Sequence, residues 1–195
     1  MVHSISTKVA RGISAAAIAL GLAVALVSPT PSFAQKAVIV GGAPMLPTKN
    51  IIENAVNSKV HTTLVAAVKA AGLVETLSGP GPFTVFAPTN TAFDKLPKGT
   101  VPTLLKPENK SKLAGVLTYH VVPGRLTAAD LMAKVEAGGG KATLKTANGG
   151  KLTVRKSGAG LSVSDVKGNS SKISISNVLQ SNGVIHVIGT VMLPG

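Results

Sequence analysis

Four histidines and seven carboxylates are the side chains of this 195-residue sequence best suited to acid–base or metal chemistry. The carboxylates are Glu53, Glu75, Asp94, Glu108, Asp130, Glu136 and Asp165. No two of them fall at a spacing that sets both on one face of one element, so paired acid–base work has no local support. His61, His120 and His186 are equally scattered, whereas a zinc motif wants close pairs such as i, i+4 on a helix. No Gly-x-Ser-x-Gly elbow holds a nucleophile beside a base. Gly158-Ala159-Gly160 comes nearest to a nucleotide fingerprint, but it lacks the third glycine and a following helix, and it reads as a hairpin turn. The absence of cysteine removes thiolate metal sites and disulfides. The expectation is a chain without enzymatic activity, catalytic residues or metal.

His120 and His186 sit among apolar residues. A buried imidazole is normally neutral and hydrogen-bonded to backbone or hydroxyl, with its pKa lowered. Tyr119, the single tyrosine, reads as a core ring with a satisfied hydroxyl. Phe83, Phe86 and Phe93 belong to an apolar block that also reads as core. That argues against single-stranded nucleic acid, whose binders stack bases on exposed aromatics.

The chain opens with Lys8 and Arg11, then an apolar run from Ile13 to Val27, then Ser32-Phe33-Ala34. This is the pattern of a secretory signal, residues 1–34, cleaved after Ala34. Its apolar core is short for a membrane span of about 20 residues. Losing Lys8 and Arg11 leaves 18 basic against 7 acidic residues, a net +11 on an exported product. Such a charge favours anionic partners, with polysaccharide, lipopolysaccharide and phospholipid headgroups among them. Only Arg125 and Arg155 are arginines in this part. Lysine acts as a point charge and lacks the bidentate fork that reads bases.

The elements follow from periodicity. Residues 35–47, with Gly41-Gly42, Pro44 and Pro47, read as a flexible segment. From Thr48 the pattern is helical: Ile51, Ile52, Ala55 and Val56 share one face. Val60, Leu64, Ala67, Val68 and Ala71 share another, with Gly72 placed to end that helix. Phe83 to Ala87 reads as a strand stopped by Pro88, and Thr89 or Asn90 can cap the helical turn that follows. Pro107 opens a helix with Leu113, Val116 and Leu117 on its buried stripe. Thr127-Ala128-Ala129-Asp130 has the pattern of a capping box. After Gly138-Gly139-Gly140 the period falls to two, through Leu152 and Val154, Leu161 and Val163, Ile173 and Ile175, with glycine turns between them. Val184 to Ile188 is almost continuously apolar, as a strand covered on both faces must be, with Val184, His186 and Ile188 on one face and Ile185 and Val187 on the other. The result is an α+β domain over 48–195, a sheet or sandwich with helices gathered at one side.

Three blocks then stand in a recognisable order. Phe83-Thr84-Val85-Phe86-Ala87-Pro88-Thr89-Asn90-Thr91-Ala92-Phe93 resembles the first signature of the fasciclin domain, and Tyr119-His120 with Val121 to Gly124 resembles its Tyr-His motif. Asn182-Gly183-Val184-Ile185-His186-Val187-Ile188 through Pro194 resembles its second signature. The resemblance implies a wedge-shaped β-sandwich flanked by helices, secreted or surface-tethered and acting in adhesion to cells or matrix. The motif residues Thr84, Phe86, Ala87, Pro88, Thr89, Asn90, Phe93, Tyr119, His120, Asn182, Gly183 and His186 would then be structural. Some secreted relatives bind carotenoids, and by that analogy Ile51, Ile52, Leu64, Val65 and Val68 would wall an apolar groove. Three departures stand out. Asn177-Val178 replaces the Asp-Ile pair used in integrin binding, Ile188-Gly189 replaces Ile-Asp, and Asn90 replaces a frequent acid. They argue against integrin binding and favour a charge-driven partner, anionic polysaccharide first, in the periplasm or outside the cell.

Overall fold

The computed structural model describes residues 37–195; the signal segment expected at residues 1–34, with its expected cleavage site, lies outside the described residues. The chain runs β1 (Val38–Val40), β2 (Ala43–Met45), α1 (Ile51–Ala55), α2 (Thr62–Ala71), α3 (Val74–Ser78), β3 (Phe83–Pro88), α4 (Asn90–Asp94) and α5 (Thr100–Leu104). A 3-10 turn, Pro107–Asn109, leads into α6 (Lys110–Tyr119). Then come β4 (Val121–Pro123), α7 (Ala128–Ala137), β5 (Lys141–Lys145), β6 (Lys151–Ser157), β7 (Gly160–Ser164), β8 (Ser170–Gln180) and β9 (Gly183–Ile188). No helix among them is long and apolar enough to cross a membrane.

Seven strands form one sheet in the order β4-β3-β9-β8-β7-β6-β5. From β5 to β9 the chain is an antiparallel meander, and β9 then lies parallel to β3, with Phe86 opposite His186. Every residue of β9 is buried, as its apolar sequence, broken only by His186, requires. The 11-residue β8 carries two register shifts, between Ile173 and Ile175 and between Ile175 and Val178. Bulges bend a strand and increase its twist, so β8 passes from one layer of the sandwich to the other. The sheet ends approach each other where the Ala147 amide donates to the Val121 carbonyl at 2.7 Å.

Two apolar cores result, one on each face of β3 and β9. On the outer face Val85, Ile185 and Val187 meet Ile51, Leu64, Val68, Leu113 and Leu117 from the helices. On the inner face Phe86, Tyr119 and Ile188 meet Leu152, Val154 and Val163 from the meander, with Leu131 and Val135 of α7. Each such buried side chain contributes about 1.5–3 kcal/mol against leaving it in water.

Two local expectations are corrected. Residues 38–45 are a β-hairpin, not a flexible segment: Val38 faces Met45 and Val40 faces Ala43. Val40 and Met45 are buried against the helical core. Gly41 and Gly42, at φ +60° and +81°, make the tight turn that a two-residue hairpin needs. Pro44 is tolerated because the strand has a partner on one side only. Val56, placed by periodicity on the buried face of α1, is 48% exposed, because α1 ends one residue earlier and Val56 is its C-cap.

Candidate functional site

The residues of the first signature fasten β3 to its surroundings. Buried Thr84 donates its hydroxyl to the Gly124 carbonyl at 2.6 Å and accepts from the Leu126 amide at 2.9 Å, which pins the β4–α7 connection. Phe86, Ala87, Pro88 and Phe93 are buried. Thr89 is the N-cap of α4 but makes no side-chain cap bond, and its hydroxyl pairs with that of Thr91. Asn90 acts on a different helix: its Oδ1 accepts from the Thr63 amide at 3.0 Å, capping α2, whose own N-cap His61 makes no side-chain cap bond. Its Nδ2 donates to the Lys59 carbonyl at 3.0 Å. An aspartate there would keep the cap and lose the donor.

The two motif histidines are fixed as opposite tautomers. His120 Nδ1 lies 2.8 Å from the Val116 carbonyl, and its Nε2 lies 2.9 Å from the Met192 amide. A carbonyl only accepts and an amide only donates, so Nδ1 carries the proton and Nε2 is bare. His186 Nε2 lies 2.8 Å from the Leu126 carbonyl and therefore carries the proton; its ring packs on Phe86 with centroids 5.6 Å apart. Burial lowers both pKa values, His120 to about 4, and the hydrogen bonds to the Val116 and Leu126 carbonyls oppose the shift only in part. Tyr119 donates its hydroxyl to the Lys151 carbonyl at 2.5 Å and accepts from the Val166 amide at 3.3 Å. All three side chains are committed to the backbone.

The turn before β9 is a clasp. Asn182 Oδ1 accepts from the Ile51 amide at 3.0 Å, at the start of α1. Its Nδ2 donates to the carbonyls of Leu77 at 2.8 Å and Gly79 at 2.9 Å, where α3 ends. One amide thereby satisfies an orphan donor of one helix and orphan acceptors of another. At Gly183 a Cβ would stand 2.2 Å from the Phe83 carbonyl oxygen, so the close approach of β9 to β3 excludes any side chain there.

Ile51, Ile52, Leu64, Val65 and Val68 line one cavity, together with the hairpin and the outer face of β3 and β9. Its volume is about 50 Å³, whereas an apolar cavity of about 150 Å³ is known to admit benzene. His61 borders it. Its Nδ1 lies 2.9 Å from the Ser58 hydroxyl, and its buried Nε2 has no hydrogen-bond partner among the described residues. Burial lowers its pKa as well.

The carboxylates have structural duties or face water. Glu53 and Asp130 close capping boxes with Asn50 and Thr127. Asp165 is buried, accepting from the amides of Lys167, Asn169 and Leu193 at 2.8–2.9 Å and from Asn169 Nδ2 at 2.7 Å. The sequence reading missed this role; the Asp165-Val166-Lys167-Gly168 turn chemistry was its available signal. It also missed the buried Asn54–Gln180 side-chain bond and the service of Asn177, whose Oδ1 caps α7 through the Ala128 amide at 2.7 Å. Among the described residues, no three of His, Cys, Asp and Glu converge as metal ligands would.

Comparisons place these features in a wider set of proteins. The chain is 47% identical over 161 residues to protein sll1483 of Synechocystis sp., covering 82% of each. It is 34% identical over 143 residues to the cell surface glycolipoprotein MPB83 of Mycobacterium bovis, covering 71% of this chain and 57% of that protein. Among solved structures it matches a FAS1 domain pair from the insect cell adhesion molecule fasciclin I. That match has a TM-score of 0.67 and 18% identity over 75% of this chain and 51% of that one, a likeness of fold. The fasciclin domain model matches residues 59–194, the span that holds β3, the Tyr-His pair and the Asn182 clasp, and the chain belongs to the fasciclin domain family.

Proposed function

We propose that this chain is an exported, non-enzymatic adhesion module that engages anionic polymers of the cell envelope or matrix. The observation that carries this reading is the state of its cations. Every lysine and arginine from Lys49 to Lys172 is exposed, and the sole ion pair among the described residues joins Lys106 to Glu108 at 3.9 Å. Internal pairing therefore leaves the +11 surplus unspent, and the charge acts outward. The relatives supply the setting, one a cell-surface glycolipoprotein and one a cell adhesion molecule. The motif imidazoles are held by backbone groups: both nitrogens of His120 and Nε2 of His186 are bonded, and His186 Nδ1 faces the Asn177 amide at 3.5 Å.

Attachment through exposed charge is screened as the Debye length falls from about 10 Å at 0.1 M salt to about 3 Å at 1 M. Affinity for an immobilised acidic polysaccharide should accordingly drop about tenfold or more across that range. Affinity that holds constant would overturn the charge reading.

A second reading, an apolar ligand such as a carotenoid, has one observation behind it: the five groove residues share a single cavity. At about 50 Å³ that cavity admits a polyene only if the hairpin over it swings aside. Incubation with carotenoid should then give a co-eluting species with red-shifted absorption; an unshifted spectrum in the protein fraction removes this reading.

A further inference from the structure

The meander has one face turned to the inner core and one turned to water, and the registers fix what the outward face carries. Lys141, Arg155, Ser162 and Lys172 stand side by side across β5, β6, β7 and β8. Two residues along each strand, Thr143, Thr153, Ser164 and Ser170 form a second row over the same four strands. Two residues further, Lys145 stands opposite Lys151. A lane of hydroxyls thus runs across the strands between two cationic rows, spaced about 7 Å from each by the rise of a strand. Arg155 leans into the lane, its Nη1 3.4 Å from the Ser164 hydroxyl. None of these outward positions holds a carboxylate or a large apolar side chain. Asp165, which follows β7, is buried. α7 covers the other face, where Leu131 and Val135 pack on Leu144, Leu152 and Val154.

Ordinary sheet physics does not explain this arrangement. Like charges directly opposite each other destabilise a pair of strands, yet Lys141–Arg155 and Lys145–Lys151 are two such pairs, and neither has an acid to offset it. Lysine does blunt sheet edges, which covers Lys141 and Lys145 on β5. It does not cover Lys151 and Arg155 on β6 or Lys172 on β8, which have neighbours on both sides.

We infer that this face is the docking surface for a linear anionic polysaccharide lying across the strands along the hydroxyl lane, with Lys141, Arg155 and Lys172 on one flank and Lys145 and Lys151 on the other. The inference rests on the anionic-polymer reading and gives it a location. Charge complementarity selects the occupant's sign. The hydroxyls suit sugar hydroxyls and carboxylates, while the three rows carry no aromatic or apolar side chain to stack on bases or enter a bilayer; exposed Val166, just past the end of β7, is the one large apolar side chain beside them among the described residues.

The test compares two triple variants of the full chain that remove equal charge. One is Lys145→Gln/Lys151→Gln/Arg155→Gln on this face; the other is Lys59→Gln/Lys69→Gln/Lys112→Gln on the helical side. Polygalacturonate is the probe, with dextran and phosphatidylglycerol vesicles alongside, and far-UV circular dichroism checks the fold. The expected result is at least a tenfold loss of polygalacturonate affinity in the sheet variant, less than twofold in the helical variant, and no binding to dextran. Equal losses in the two variants overturn the location while the anionic-polymer reading stands. No polygalacturonate binding by the unaltered protein overturns both, and so does binding to the vesicles alone. Lys145→Glu, which sets an acid opposite Lys151, should raise the melting temperature of the free protein while weakening polygalacturonate binding. A lowered melting temperature would contradict the like-charge account of this face.

Discussion

Replacing Asn182 with Ala should lower the unfolding free energy by about 3–4 kcal/mol, since three hydrogen bonds, two buried and one partly buried, go and their partners stay behind unpaired. Those partners are the Ile51 amide and the Leu77 and Gly79 carbonyls. For a domain of this size that is roughly a 10 °C fall in melting temperature. The isosteric Asn182→Asp separates chemistry from shape. It keeps an acceptor for Ile51 but turns a carboxylate oxygen toward two carbonyls, so it should be at least as damaging as the alanine. Urea unfolding of the three proteins decides it, and an aspartate variant as stable as the original would mean the clasp does not hold the helices.

Acid is the second large perturbation. His120 has a folded pKa of about 4 against an ordinary 6.5, so the unfolded chain binds its proton first. A group depressed in this way stabilises the fold fully above pH 6.5 and loses that contribution as pH falls from 6.5 toward 4. The shift corresponds to about 3 kcal/mol. His61 and His186 are lowered by burial too and add in the same direction. Protonation of His120 also sets an N–H against the Met192 amide, breaking the bond that seats the C-terminal segment. Denaturant midpoints should therefore fall steadily between pH 7 and pH 4.5. His120→Phe should be less stable at pH 7 but flatter across that window. Asp130, whose pKa the Thr127 hydroxyl lowers below 3.8, titrates beneath the window and does not blur it. Midpoints that are level from pH 7 to 4.5 would show that His120 is not buried in its neutral form.

Much of this architecture was legible in the sequence because its signals are local. The nearly continuous apolar run of β9, the alternation of Leu152 with Val154 and of Leu161 with Val163, and the Thr127–Asp130 box each need a few residues to interpret. Val38 to Met45 is ambiguous in the sequence because Gly41-Gly42 and Pro44 are breaker residues, whereas Gly-Gly between alternating apolar residues is also a hairpin signal. The bonds of Asn182 join positions more than 100 residues apart, and no spacing rule reaches that far. The cationic face was hidden differently. Its charges lie four residues apart on β5 and again on β6, so each looks like an ordinary solvated cation until strand register sets Lys145 beside Lys151 and Lys141 beside Arg155.

In the proposed function the motif-built interior holds the fold and the outer meander face meets the partner. Amide chemical shifts of the ¹⁵N-labelled protein, followed through a polygalacturonate titration, separate the two. Perturbations should concentrate on β5 through β8 around Thr143, Thr153 and Ser164, with Tyr119, His120 and His186 unmoved. Shifts gathered instead around His61 and the cavity beneath the hairpin, with the meander silent, would contradict it.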